Sequence, residues 1–184
     1  MTSLQHDIVT VSGLPGSGTS TVCGLIEKQT RWSYINAGEI FRELAAAEGL
    51  SLAELGARAE ADPEIDRRLD ARMVMLAEQF PNVILEGRLV GWMADRFGLG
   101  ACKVWLGADV HTRARRCSSR DGDPLDETER AMLARERSEA ARYRDHHGID
   151  VADLSIYDLV IDSTSSKPAA IAAQILGTLG RSQG

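Results

Sequence analysis

Lysine is scarce in this chain: of its 21 basic residues only Lys28, Lys103 and Lys167 are lysines. The other cations are arginines, whose planar guanidinium can grip a phosphate through two donors at once, so the places where arginines cluster matter. Cysteine is thin as well. Cys23, Cys102 and Cys117 are odd in number and show no paired spacing, which argues against a disulfide framework or a zinc site and predicts a reducing, cytoplasmic setting. No apolar run approaches the roughly 20 residues that span a bilayer, and the polar stretch from Met1 to Asp7 predicts no signal peptide. Positive charge in excess is also missing. The formal net charge of -6 gives no general drive toward nucleic acid or an anionic membrane. What is present suffices for folding: 184 residues fit a single domain, and 43% hydrophobic content supplies a core.

The β-branched run Ile8–Ser12 ends in a glycine cluster, after which Thr19–Gln29 reads as a helix. Further strands are expected at Ser33–Asn36, Asn82–Glu86, Cys102–Leu106 and Tyr157–Ile161. From Glu39 to about Phe80 the pattern is helical, with breaks at Gly49-Leu-Ser51 and Asp62-Pro63; Ser51 and Asp62 are cap candidates, so three helices are expected. Helices also fit Val110–Ser119, Leu125–Asp145 and Pro168–Leu179. Strands that alternate with helices predict an α/β fold with a parallel sheet covered on both faces. The polar Ser118–Pro124 stretch reads as a mobile tip between two helices.

The spacing of Gly13-Leu-Pro-Gly-Ser-Gly-Thr-Ser20 matches the phosphate-loop signature G-x-x-x-x-G-K-[ST], with Thr19 in the lysine position. Glycines let successive N–H groups point into one concavity, and the helix that follows adds partial positive charge. Ser20 is then placed to offer a hydroxyl to Mg²⁺ on the β- and γ-phosphates of a nucleotide. Without the lysine, a substitute cation must come from elsewhere in the chain, and the shortage of lysines points to an arginine.

Arg42 follows the second strand and Arg88 the third; strand ends of an open parallel sheet face the ligand crevice. Each can also be a surface arginine paired with a carboxylate. Arg113, Arg116 and Arg120 share one helical face, as do Arg135, Glu139 and Arg142, while Arg130, Arg137 and Arg144 fall on another face of the second helix. Periodicity does not choose between the last two stripes. Glu86 can orient Mg²⁺ through water or simply pair with Arg88. His146 and His147 lack metal-ligand spacing and read as surface residues. Trp32, Trp92 and Trp105 read as packing residues.

These segments resemble the archaeal-type cytidylate kinases of the P-loop nucleoside monophosphate kinase superfamily. The resemblance covers Val11–Gly18, Ala37–Leu44, Asp62–Asp66, Leu85–Leu89 with Gly91–Met93, Arg135–Tyr143, Gly148–Asp150 and Asp153–Asp158, in the family's order. It implies a five-stranded core (7–37, 81–112, 155–180), a monophosphate-binding lobe (38–80) and an arginine lid (113–145). It further implies phosphoryl transfer from ATP, with Mg²⁺, to CMP or dCMP by a cytoplasmic monomer. The residues wrapping the ATP phosphates would be Gly13, Leu14, Pro15, Gly16, Ser17, Gly18, Thr19, Ser20 and Thr21. Arg42 and Arg88 would hold the acceptor phosphate, Arg135 and Arg142 would be the lid cations, and Glu139 would lie near the acceptor sugar or base. That choice selects the stripe carrying Arg135 and Arg142. Thr19 departs from the superfamily's lysine, and Glu39 stands where family members often carry Asp. Two alternatives remain: a kinase for UMP, AMP or a small metabolite, or a nucleotide-binding regulator with impaired catalysis.

Overall fold

The computed structural model describes residues 7–181, so the polar N-terminal stretch read above lies outside it up to residue 6. Five strands, β1 (Asp7–Gly13), β2 (Ser33–Asn36), β3 (Asn82–Glu86), β4 (Ala101–Gly107) and β5 (Leu159–Asp162), pair in parallel in the order β2-β3-β1-β4-β5. Between and after them run α1 (Thr19–Thr30), α2 (Ala37–Ala47), α3 (Leu52–Ala61), α4 (Pro63–Gln79), α5 (Val90–Arg96), α6 (Val110–Asp121), α7 (Leu125–His147) and α8 (Pro168–Arg181). The expected α/β fold with a five-stranded parallel sheet is the fold observed.

β1 lies at the centre because neither of its faces needs water. Val9 and Val11 pack with Val22 and Ile26 of α1 and Ile171 and Ile175 of α8. On the opposite face Ile8 joins Ile40 of α2, Met73 of α4 and Met93 of α5. Burial of each such aliphatic side chain contributes roughly 1.5–3 kcal/mol, so the two faces together fix the strand order. The breaks in the helical segment are as expected. Ser51 and Glu54 form a reciprocal capping box at α3, and Asp62 caps α4 by accepting from Glu64 N at 3.0 Å, with Pro63 in the first turn. A small separate core of Ala45, Leu55, Ala59 and Ile65 holds α2, α3 and α4 together, and another of Ala114, Cys117 and Met132 joins α6 to α7. No helix among the described residues is long and apolar enough to cross a membrane.

Three expectations are corrected. The fifth strand begins at Leu159 rather than Tyr157; just before it Asp158 meets Lys103 of β4 twice, its N–H donating to the Lys103 carbonyl at 2.8 Å and its carboxylate accepting from Lys103 N at 2.7 Å. Tyr157 turns inward instead, its ring 5.4 Å from that of Trp105. The helix α5 was not anticipated. The expected tip from Ser118 is helical as far as Asp121, leaving only residues 122–124 as connection, which Ser118 closes by donating to the Asp123 carbonyl at 2.6 Å.

Candidate active site

The loop of residues 14–18 leaves the central strand and enters α1. Gly16 and Gly18 have φ of 80° and 90°, the left-handed region that glycine enters without penalty. At Gly16 a side chain would also collide with the Arg113 carbonyl oxygen, 2.5 Å from where its Cβ would stand. Buried Ser17 pins the turn: its hydroxyl donates to the Leu14 carbonyl at 2.6 Å, and its own carbonyl accepts from Ser163 Oγ at 2.7 Å. No side chain caps α1 at Gly18, so the first N–H groups of the helix remain available to an anion.

Beside the loop stands Glu86, the last residue of β3 and buried to 6% exposure. One carboxylate oxygen, Oε1, accepts from Thr19 Oγ1 at 2.6 Å and from Ser20 Oγ at 2.7 Å. The other, Oε2, accepts from the Tyr34 hydroxyl and from Asn36 Nδ2, both on β2. Burial, followed by the bond to Glu86, pushes the Tyr34 phenol well above its ordinary pKa, which keeps it a donor. Burial likewise raises the nearby Cys23 thiol, so it is an inert core residue. Glu86 therefore does not pair with Arg88. All four of these donors are neutral, and a buried carboxylate without a cationic partner is costly. An oxygen-seeking divalent cation that keeps some of its water would offset that cost, and Ser20, Thr19 and Glu86 present the oxygen atoms it prefers. The donor set thus fits Mg²⁺.

Two arginines reach the loop from α6. Arg113, 5% exposed, donates to the Pro15 carbonyl at 3.2 Å and to the Ala108 carbonyl at 3.1 Å, and is ion-paired with Glu136 of α7. Arg116 donates to the Gly16 carbonyl at 3.1 Å and to the Ser163 carbonyl at 2.7 Å. Alongside it opens a groove of about 570 Å³ lined by Thr112, Arg115, Arg116, Ser119, Arg120 and Thr164. The third member of that stripe, Arg120, pairs with its neighbour Asp121 at 2.7 Å.

On the other side of the crevice, Arg88 is ion-paired with Glu139, which also accepts from Arg135 Nε at 2.8 Å. Arg142 Nε lies 3.4 Å from Asp66 Oδ2 of α4, and His147 Nε2 is 3.0 Å from the same oxygen. Tyr143 lies between these groups. Its phenol is raised by burial, and the charges of Glu139, Arg88, Arg142 and Asp66 all act on it. Arg42 is exposed, with 56% of its side chain open to solvent, and lies 4.0 Å from Glu39. Arg130, Arg137 and Arg144 are exposed, and of the stripe Arg135, Glu139 and Arg142 the last two turn inward; Arg135, expected as a lid cation, has 69% of its side chain exposed and reaches the others through its bond to Glu139. His147 is not a surface residue: its side chain is 9% exposed. Tyr34, Asn36, Asp66, Arg113 and Arg116 were not among the expected site residues. For the two arginines the shared helical face was the available signal.

The Cytidylate kinase-like family model matches residues 8–165. The chain belongs to that family. Among similar proteins, the cytidylate kinase of Methanococcoides burtonii is 46% identical over 157 residues, covering 85% of this chain and 87% of the relative. The cytidylate kinase of Pyrococcus abyssi is 43% identical over 166 residues, or 90% of each chain. Of solved structures, an uncharacterized protein of Eubacterium ventriosum has a TM-score of 0.72 at 15% identity, covering 94% of this chain and 98% of its own. Shikimate kinase of Bacteroides thetaiotaomicron has a TM-score of 0.63 at 13% identity, covering 95% and 98%. At such identities the likeness is one of fold.

Proposed function

We propose that this protein transfers the γ-phosphoryl group of ATP to CMP or dCMP, giving ADP and CDP or dCDP, in the cytoplasm and as a monomer. The observation that carries this reading is the convergence of Thr19 and Ser20 on the buried carboxylate of Glu86, within a family whose relatives above are named cytidylate kinases. Residues 13–21 wrap the ATP phosphates. The groove beside Arg116 takes the nucleoside end of ATP, and Arg113 and Arg116 supply the positive charge that Thr19 lacks. Ser20 would hold Mg²⁺ directly and Glu86 through water, and the ion would supply neutralisation of the phosphate charge.

Arg42 and Arg88 bind the acceptor phosphate, Glu139 lies by the acceptor nucleoside, and Arg88, Arg135 and Arg142 stabilise charge during transfer. Residues 7–37, 81–112 and 155–180 form the core, 38–80 the monophosphate-binding lobe and 113–145 the lid. Lid closure excludes water that would otherwise hydrolyse ATP. Transfer is direct and in line, with no covalent enzyme intermediate, because positioning and charge neutralisation supply the catalysis. ADP formation, followed with ATP, Mg²⁺ and a panel of monophosphates, tests this. Turnover dependent on CMP or dCMP is expected. ADP formation that depends on none of the panel would overturn the proposal.

A further inference from the structure

Asn36 is at once the last residue of β2 and the cap of α2, and its side-chain amide faces two ways. Its Oδ1 accepts from Gly38 N at 2.8 Å and Glu39 N at 3.2 Å, the usual bonds of a helix cap. Those two donors fix which end of the amide is the carbonyl, so the Nδ2 end is the one that faces Glu86. It donates to Glu86 Oε2 and lies 3.3 Å from the Tyr34 hydroxyl. A single side chain therefore joins the first turn of α2 to the carboxylate that receives Thr19 and Ser20.

The same corner contains Arg42. The point where a Cβ on Gly38 would stand is 3.0 Å from Asn36 Oδ1 and 3.8 Å from an Arg42 Nη1 atom. For capping alone, serine, threonine or aspartate would serve as well as asparagine. The feature those residues lack is an amide that caps with one atom and donates to Glu86 with the other.

We propose that Asn36 is a positioning residue that ties α2, and with it Arg42, to the Glu86 carboxylate, so that the acceptor-phosphate side and the cation side of the site are held at a fixed separation. This rests on the assignment of Glu86 to the cation made above. Asn36 touches neither substrate; it acts through Glu86 and through the helix.

The Asn36→Ser variant tests it, because serine retains the cap but cannot also hold Glu86. Asn36→Ala removes both bonds. N36S is expected to keep its Tm within about 2 °C of wild type, whereas N36A falls by about 2–4 °C from loss of the cap. Both are expected to lose about 10–100-fold in kcat, as partners of a metal-holding group do. Their KM for ATP should stay within about threefold, while the free Mg²⁺ needed for half-maximal rate rises.

Binding of Mn²⁺·ADP, read by Mn²⁺ electron paramagnetic resonance without turnover, should weaken in parallel. An N36S protein with wild-type kcat and wild-type Mn²⁺ affinity would show that Asn36 is a cap only, and would overturn the proposal. If N36S fails to fold, Asn36→Thr retains the cap and likewise offers no second donor to Glu86. Mn²⁺·ADP should then bind more weakly than to wild type, and unchanged affinity would again overturn the proposal. A wild type inert with every monophosphate would reject the kinase reading instead, while the Mn²⁺·ADP comparison would still decide the role of Asn36.

Discussion

Arg88, just beyond β3, is ion-paired with Glu139 in the middle of α7, and only 17% and 12% of the two side chains are exposed. The guanidinium that faces the crevice is thus already neutralised by a carboxylate, which an incoming phosphate would have to displace or share. Arg88→Ala is expected to raise KM for CMP at least about tenfold while leaving KM for ATP nearly unchanged. It also leaves Glu139 paired, among the described residues, with the exposed Arg135 alone, so the fold should lose about 1–3 kcal/mol, less than the roughly 3–5 kcal/mol for breaking a fully buried pair. Steady-state kinetics and denaturant unfolding read the two effects separately. An unchanged KM for CMP would move the acceptor phosphate elsewhere.

The loss of one partner from Glu86 has a different signature. Thr19 Oγ1 is 2.6 Å from Glu86 Oε1, so Thr19→Lys brings an ammonium within reach of that carboxylate. An ion pair there competes with the cation for Glu86. Turnover of T19K is therefore expected at or below the wild-type value, and more Mg²⁺ should be needed to reach it. A tenfold gain, about 1.4 kcal/mol of transition-state stabilisation, would mean that the wild-type loop is impaired and that Arg113 and Arg116 do not compensate. CMP-dependent ADP release at varied Mg²⁺ makes the measurement.

Much of this was legible in the sequence, for identifiable reasons. Parallel strands buried on both faces read as continuous β-branched runs, and the phosphate loop is a local pattern of glycine spacing. The seven-residue α5 had no such mark: Leu89 precedes it and provides no side-chain cap. Tyr34 and Asn36 meet Glu86 across 52 and 50 residues, and His147 meets Asp66 across 81. Contacts of that kind are produced by the packing of whole elements, so neither periodicity nor spacing carries them. His147 was misread for this reason, since a polar pair at a helix end looks the same whether or not another helix covers it.

Asp70, on α4 below Asp66, has its pKa raised to about 6, chiefly by burial, with Asp66 also raising it and His147 and Arg96 lowering it. A carboxyl whose pKa is higher in the folded state binds more protons there than in the unfolded chain. Its favourable contribution is fully present below about pH 3.8 and is lost as pH rises through about 6. At pH 7–8 the folded protein carries a poorly hydrated charge. Asp70→Asn is expected to be more stable than wild type by about 1–3 kcal/mol at pH 7–8, with the gain shrinking below pH 6 and vanishing near pH 4. Urea unfolding of both proteins across that range checks it. A gain independent of pH would assign the effect to packing and not to the charge.

Asp66 joins α4 to the far end of α7 through His147 and Arg142, and Ser138 of α7 donates to Glu60 of α3 at 2.6 Å. Arg142 thus has two candidate roles: holding α7 against α4, and stabilising charge on the transferring phosphoryl group. The two roles predict different patterns. Asp66→Asn breaks the first and leaves the second; Arg142→Ala removes both. In stability, the two substitutions should be non-additive by about 0.5–3 kcal/mol, because the residues are in contact. In turnover, R142A should lose about 10²-fold or more while D66N loses far less, and the double variant should resemble R142A. A four-point cycle of unfolding free energies and kcat values measures both. If D66N lowers kcat as much as R142A does, the arginine acts only by positioning α7, and the cation that meets the phosphoryl group must be sought at Arg88 or Arg135.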